Sequence, residues 1–97
     1  MERFEKTEAE IYPVTIDFTN RLPSGATIAS ATGSAVNTRT GLTDNTVFDN
    51  TTLTVTTTTA KAVLKLGNSG DDYEASYRAT LSDGSILVEK ILMQVRG

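Results

Sequence analysis

The chain contains no cysteine and no histidine. Without cysteine there is no disulfide framework, no thiolate metal site and no thiol nucleophile. Without histidine, the commonest general base and the commonest transition-metal ligand are both missing. Tryptophan is absent too, and the aromatic set is small: Phe4, Tyr12, Phe18, Phe48, Tyr73 and Tyr77. Several of these are needed for a core, which leaves few to serve as sugar-stacking platforms. No apolar run approaches the roughly 18 residues that a membrane-spanning helix requires. The opening Met1-Glu2-Arg3-Phe4-Glu5-Lys6 has no apolar signal core, so the chain as given is not expected to carry a secretory address.

Charge narrows the partners further. The net charge is −3, and the nine basic residues are scattered along 97 positions without forming a stripe. Neither nucleic acid nor a membrane is therefore an expected partner. A chain of this length is expected to make one domain around one core. The polar residues 1–10 read as a flexible N-terminal arm, and residues 11–97 as the folded domain.

What the chain has in excess is threonine, set among valine, isoleucine and tyrosine. Branching at Cβ suits a pleated strand better than a helix, and the recurring pattern is alternation. Val14, Ile16 and Phe18 face one way, with Pro13 expected at a strand start or on an edge because it has no N–H for a ladder. Leu22-Pro23-Ser24-Gly25 signals a turn. Ala26–Thr32 reads as a strand broken at Gly33-Ser34, with Ala35–Thr38 resuming it. Short strands are expected at Thr46–Phe48 and Thr51–Thr57, separated by a turn at Asp49-Asn50, with Leu53 and Val55 inward. In Lys61–Leu66 the inward positions are Ala62, Leu64 and Leu66. Tyr73, Ala75, Tyr77, Ala79 and Leu81 give the cleanest alternation, followed by a tight hairpin at Ser82-Asp83-Gly84-Ser85. The last strand changes parity between Ile86/Val88 and Ile91/Met93/Val95, which predicts a β-bulge near Glu89-Lys90.

Seven or eight short strands with regular turn signals indicate an all-β fold, and an immunoglobulin-like antiparallel β-sandwich is preferred. The local reason is Gly70-Asp71-Asp72-Tyr73-Glu74-Ala75. It places Tyr73 where such sandwiches carry a tyrosine corner, a structural residue whose hydroxyl returns to upstream backbone.

Catalytic candidates are thin. Each Ser or Thr lacks an activating base, and no carboxylate pair stands out for glycoside chemistry. Asp71 and Asp72 with Asp83 resemble a calcium cluster only loosely. They match no EF-hand spacing and read better as turn residues. Asn50-Thr51-Thr52 fits a glycosylation sequon, which matters only on a secreted eukaryotic chain. No enzyme, metal or cofactor is expected. Arg78, Lys90 and Arg96, together with Arg21 beside the Leu22-Pro23 turn, are the possible contacts to an acidic protein partner.

The stretch Tyr12-Pro13-Val14-Thr15-Ile16-Asp17-Phe18-Thr19-Asn20-Arg21-Leu22, then Gly25-Ala26-Thr27-Ile28-Ala29-Ser30, resembles the opening of small tailed-phage structural proteins of the fiber-tail adaptor, Ig-like type. Gly41-Leu42-Thr43, the threonine-rich Thr51–Thr59, Tyr73 to Arg78 and the closing Asp83-Gly84 to Val95-Arg96 follow that family's order. The chain departs from it in carrying Phe18 where the family usually has tryptophan. The resemblance implies a bacteriophage virion protein made in the bacterial host cytoplasm. It would be a non-enzymatic adaptor or connector that docks neck, tail, fiber or capsid proteins in several symmetric copies. The readings set beside it are a capsid decoration (cement) protein and an Ig-like module that binds cell surfaces or carbohydrate.

Overall fold

A computed structural model of the chain describes residues 2–96; Met1 and Gly97 lie outside the described residues. Seven strands follow one another: β1 (Glu2–Lys6), β2 (Tyr12–Asp17), β3 (Ile28–Asn37), β4 (Phe48–Val55), β5 (Thr59–Leu64), β6 (Asp72–Leu81) and β7 (Ile86–Val95). They form a four-stranded sheet in the order β1-β7-β6-β3 and a three-stranded sheet in the order β2-β5-β4. This is the two-sheet immunoglobulin-like arrangement, with its first strand on the sheet of β6 and β7. Every pairing is antiparallel except β1 with β7, which is parallel.

The core is built by the alternation of β6. Tyr73, Ala75, Tyr77, Ala79 and Leu81 are all buried, and they meet Phe18, Phe48, Ala60, Ala62 and Leu64 from the other side. Large and small side chains alternate, so the two inner faces interdigitate. Phe48 meets Tyr77 edge-on, with ring centroids 4.9 Å apart. Each buried ring contributes about 2 kcal/mol of apolar transfer. The Tyr77 hydroxyl crosses the sandwich and donates to the Val14 carbonyl at 3.0 Å. Burial pushes that phenol above its ordinary pKa, so it remains a donor.

Several details differ from the sequence expectations. Residues Glu2–Lys6, expected within the arm, form strand β1, from Glu2 opposite Ile91 to Lys6 opposite Val95. Phe4 packs against the core and against Tyr12. Lys6 is buried with its ammonium on the Thr7 carbonyl at 2.7 Å. Burial pushes that ammonium below the usual lysine value, while Glu10 and Glu8 act in the opposite direction.

Gly33 does not break β3. A Cβ there would fall on the Phe48 ring, so the glycine marks the place where a ring lies directly on strand backbone. The bulge expected near Glu89-Lys90 is absent, because the β6–β7 register is continuous from Asp72↔Gln94 to Thr80↔Ile86. Ile86 and Val88 stay on the outer face, 47% and 39% exposed, beside Thr80 and Arg78. β-Branched residues are favoured there by cross-strand packing without burial. A register shift lies instead in β3, between Ile28 and Ser30. It turns Ala31, Gly33, Ala35 and Asn37 inward.

β4 runs through Asp49-Asn50 with a register shift rather than a turn. Val55 and Leu66 are exposed. β5 ends at Leu64, and the chain then turns through left-handed Leu66 (φ 57°) and Gly67 (φ 92°). In the final hairpin only Gly84 has positive φ, and its N–H bonds the Leu81 carbonyl at 3.0 Å. This is a type I turn followed by a left-handed glycine.

Candidate partner interface

A β-sandwich exposes unpaired backbone groups along its outermost strands, and these are its natural sites for contact with another chain. The β3 edge is closed by side chains from the β3–β4 connection and β4. Asn50 accepts from the Gly33 N–H and donates to the Gly33 carbonyl, both at 2.9 Å. Its amide thus does what a neighbouring strand would do. Two residues further on, the Ala35 N–H donates to Asn45 Oδ1 at 3.0 Å, and the Ala35 carbonyl accepts from the Asp44 N–H at 2.9 Å. The Asn37 N–H then reaches the Leu42 carbonyl at 2.9 Å.

The loop that supplies the last of these contacts is anchored by a buried carboxylate. Asp71 receives Arg39 Nε at 2.6 Å and Nη2 at 3.0 Å, and Asn37 Nδ2 at 3.0 Å. The hydrogen bonds from Arg39, then from Asn37, hold the Asp71 carboxyl down at about 2. Two residues on, Tyr73 is fully buried, and its hydroxyl accepts from the Asn68 N–H at 3.0 Å. That is the corner geometry of Ig-like sandwiches, a phenol returning to backbone a few residues upstream. Asp83 lies at the far end of β6 from Asp71 and Asp72, so the three carboxylates do not meet.

The opposite edge is closed less completely. Among the described residues, β1 covers β7 from Ile91 to Val95. Along Ile86–Lys90, among the described residues, no strand pairs on that side. One side chain reaches in: Arg21 donates from Nη1 to the Val88 carbonyl at 2.8 Å and forms an ion pair with Glu89. A groove of about 460 Å³ runs beside it, between Thr15, Ile16 and Asp17 of β2 and Glu89, Lys90 and Ile91 of β7.

The four basic residues singled out in the sequence do not form one patch. Arg78 and Lys90 share the outer face of the four-stranded sheet. Lys90 is paired with Glu74 at 3.0 Å, while among the described residues Arg78 pairs with no carboxylate. Arg96, just past β7, is paired with Asp72 at 2.8 Å. It stands eight strand positions from Val88, roughly 26 Å away. Arg21 alone touches an edge. Asn50, Asn45 and Asp44, which close β3, carry no signal in the sequence beyond that of loop residues. They act on a strand distant in sequence, 17 residues away for Asn50.

A family model described as podophage GP4 fiber-tail adaptor protein gp77 matches residues 6–94. No curated protein and no solved structure matches the chain.

Proposed function

The chain belongs to the podophage GP4 fiber-tail adaptor family, and from that premise we propose that it is a non-enzymatic virion protein that joins fiber to tail, in several copies around a symmetric assembly. The family match across residues 6–94 is the observation that carries this reading. The geometry supports it in three ways. The body is a compact two-sheet sandwich whose inner faces are filled by packed rings and alanines. The carboxylates with lowered pKa, Glu10, Asp17, Asp49, Asp71 and Asp83, are each engaged by hydrogen bonds from neighbouring turns and loops, which is a structural use. The edge strands differ in how completely they are closed, so contact with another chain is channelled to particular places. Repetition in a ring multiplies weak individual contacts into firm attachment.

The test is an inventory of purified phage particles by mass spectrometry, followed by localisation of the sandwich by cryo-EM. Density between the tail and the fiber bases supports the reading. Density on the capsid shell would make the protein a decoration protein instead, and absence from particles would remove the virion role altogether.

A further inference from the structure

We propose that Ile86–Lys90, the stretch of β7 that no described strand covers, is a strand-acceptor edge. It takes an extended, uncharged segment of a partner virion protein, added parallel to β7 and in line with β1. This deepens the adaptor reading and rests on it.

The direction of the backbone groups follows from the ladder. The Val95 N–H and carbonyl face the β6 side, where they bond Asp71 and Gly70, while the next residue, Arg96, sends its N–H to the Lys6 carbonyl of the β1 side. Because the facing alternates along a strand flanked on both sides, Lys90 and Val88 also point toward the β1 side. The β1 register stops at Glu2↔Ile91. The Val88 N–H and the Lys90 N–H therefore look into the groove, past the last described residue of β1, and among the described residues the Val88 carbonyl is held by Arg21.

Three further observations choose the occupant. The same edge of β7 already holds a parallel strand over its C-terminal half, so a second strand placed end to end with β1 continues an existing ladder. The five residues Ile86–Lys90 span roughly 16 Å, the length of a short strand. The charges lining the groove balance, Asp17 and Glu89 against Arg21 and Lys90, and each is already engaged, Arg21 with Glu89, Lys90 with Glu74 and Asp17 with Thr19. Its apolar lining comes from Ile16 and Ile91. Such a groove favours main-chain pairing with small or β-branched side chains over a charged ligand.

Arg21 acts as a removable stopper. Its side chain and that of Glu89 are 46% and 36% exposed, and exposed ion pairs of this kind are weak. An incoming N–H can take the Val88 carbonyl from it at little cost. By contrast, the β3 edge is closed by several bonds, from the side chains of Asn50 and Asn45 and from the backbone of Leu42 and Asp44.

The experiment is hydrogen exchange on the full chain, free and in purified tails. In the free protein the Val88 and Lys90 amides exchange quickly, while those of Glu89 and Ile91, turned toward β6, are slow. In tails, Val88 and Lys90 are expected to slow by about 100-fold or more. If the protein is present in tails and those two amides exchange as in the free state, the acceptor edge is overturned while the adaptor reading stands. If the protein is absent from particles, the adaptor reading itself fails. A second arm uses Val88→Pro, which removes the N–H facing the groove while leaving the β6–β7 backbone hydrogen bonds, made by the alternate residues, in place. The variant is expected to fold and to lose at least about tenfold in incorporation into tails. A folded variant that incorporates at the wild-type level overturns the proposal. If the variant does not fold, the exchange measurement decides.

Discussion

Along β3, Gly33, Ala35 and Asn37 each hand backbone groups to Asn50, to Asn45 and Asp44, and to Leu42. Along the N-terminal half of β7, at the other side of the same sheet, the one observed substitute for a neighbouring strand is the guanidinium of Arg21. Both edges face the same hazard, a row of unpaired N–H and carbonyl groups that invites another chain. They answer it with different permanence. The β3 closure is assembled from short side chains in a connection pinned by a buried carboxylate. The β7 closure hangs on one long, exposed side chain. On the proposed adaptor role such an asymmetry would let the sandwich take a partner at one edge without joining copies of itself at random at the other.

The comparison can be broken most forcefully at Gly33. Gly33→Val would drive a side chain into the Phe48 ring. It is expected to destabilise by about 3 kcal/mol or more, as overpacking against a seated ring does, read as a lowered midpoint in urea. A loss under about 1 kcal/mol would mean that the Phe48 seat does not hold β3 in place. A step down in size, Asn50→Ala hands the Gly33 N–H and carbonyl to water, at a cost of about 0.5–1 kcal/mol. It is also expected to bring concentration-dependent self-association, visible by sedimentation. If it stayed monomeric, the side-chain closure of β3 would not be what keeps copies apart.

Acid sharpens the contrast within the wild-type chain. Folding holds the Asp71 carboxyl at about 2, below its ordinary value, so the folded state releases this proton more readily than the unfolded one. The stability that results is fully present above about pH 4 and is lost as the pH falls toward about 2. Because Asp71 anchors the loop that ends the β3 closure, protection of the Asn37 amide, relative to its intrinsic exchange rate at each pH, should fall over that window more than that of Glu89. Asp71→Asn should flatten the dependence. The smallest effect is expected at the β7 edge. Arg21→Ala should change stability by no more than about 0.5 kcal/mol, the scale of an exposed pair, in the same urea titration that reports Asn50→Ala. A larger loss would make Arg21 a structural brace rather than a stopper.

The sequence revealed most where one face of a strand is buried and the other wet. The run from Tyr73 to Leu81 alternates without exception and is buried without exception on its inner side. The resemblance at Tyr12–Leu22 and beyond pointed to the family whose model matches residues 6–94. β1 was illegible because Glu2–Lys6 holds one apolar residue, Phe4, and its other inward position is a lysine. Its place in the sheet comes from the β7 edge, not from its own composition. The bulge was assigned to the wrong strand for a related reason. Ile86 and Val88 were read as inward because they are apolar, yet an outer sheet face accepts such residues readily. The edge closures were invisible because asparagine and aspartate in a connection look like turn residues until the fold sets them against a distant strand. Of the basic residues, Arg21 stood out only through its neighbouring turn. What it touches, the Val88 carbonyl 67 residues away, is a property of the folded chain alone.

The parallel pairing of β1 with β7 also sets how the domain bears mechanical load. Glu2 lies opposite Ile91 and Lys6 opposite Val95, so the start of β1 and the end of β7 lie at opposite ends of their common ladder. A force drawn between those two points slides one strand along the other and strains every rung at once. An antiparallel hairpin pulled from its open end would instead unzip rung by rung. The short strand at the sandwich edge is in this sense a clasp. It yields to a sideways peel and resists a lengthwise tug.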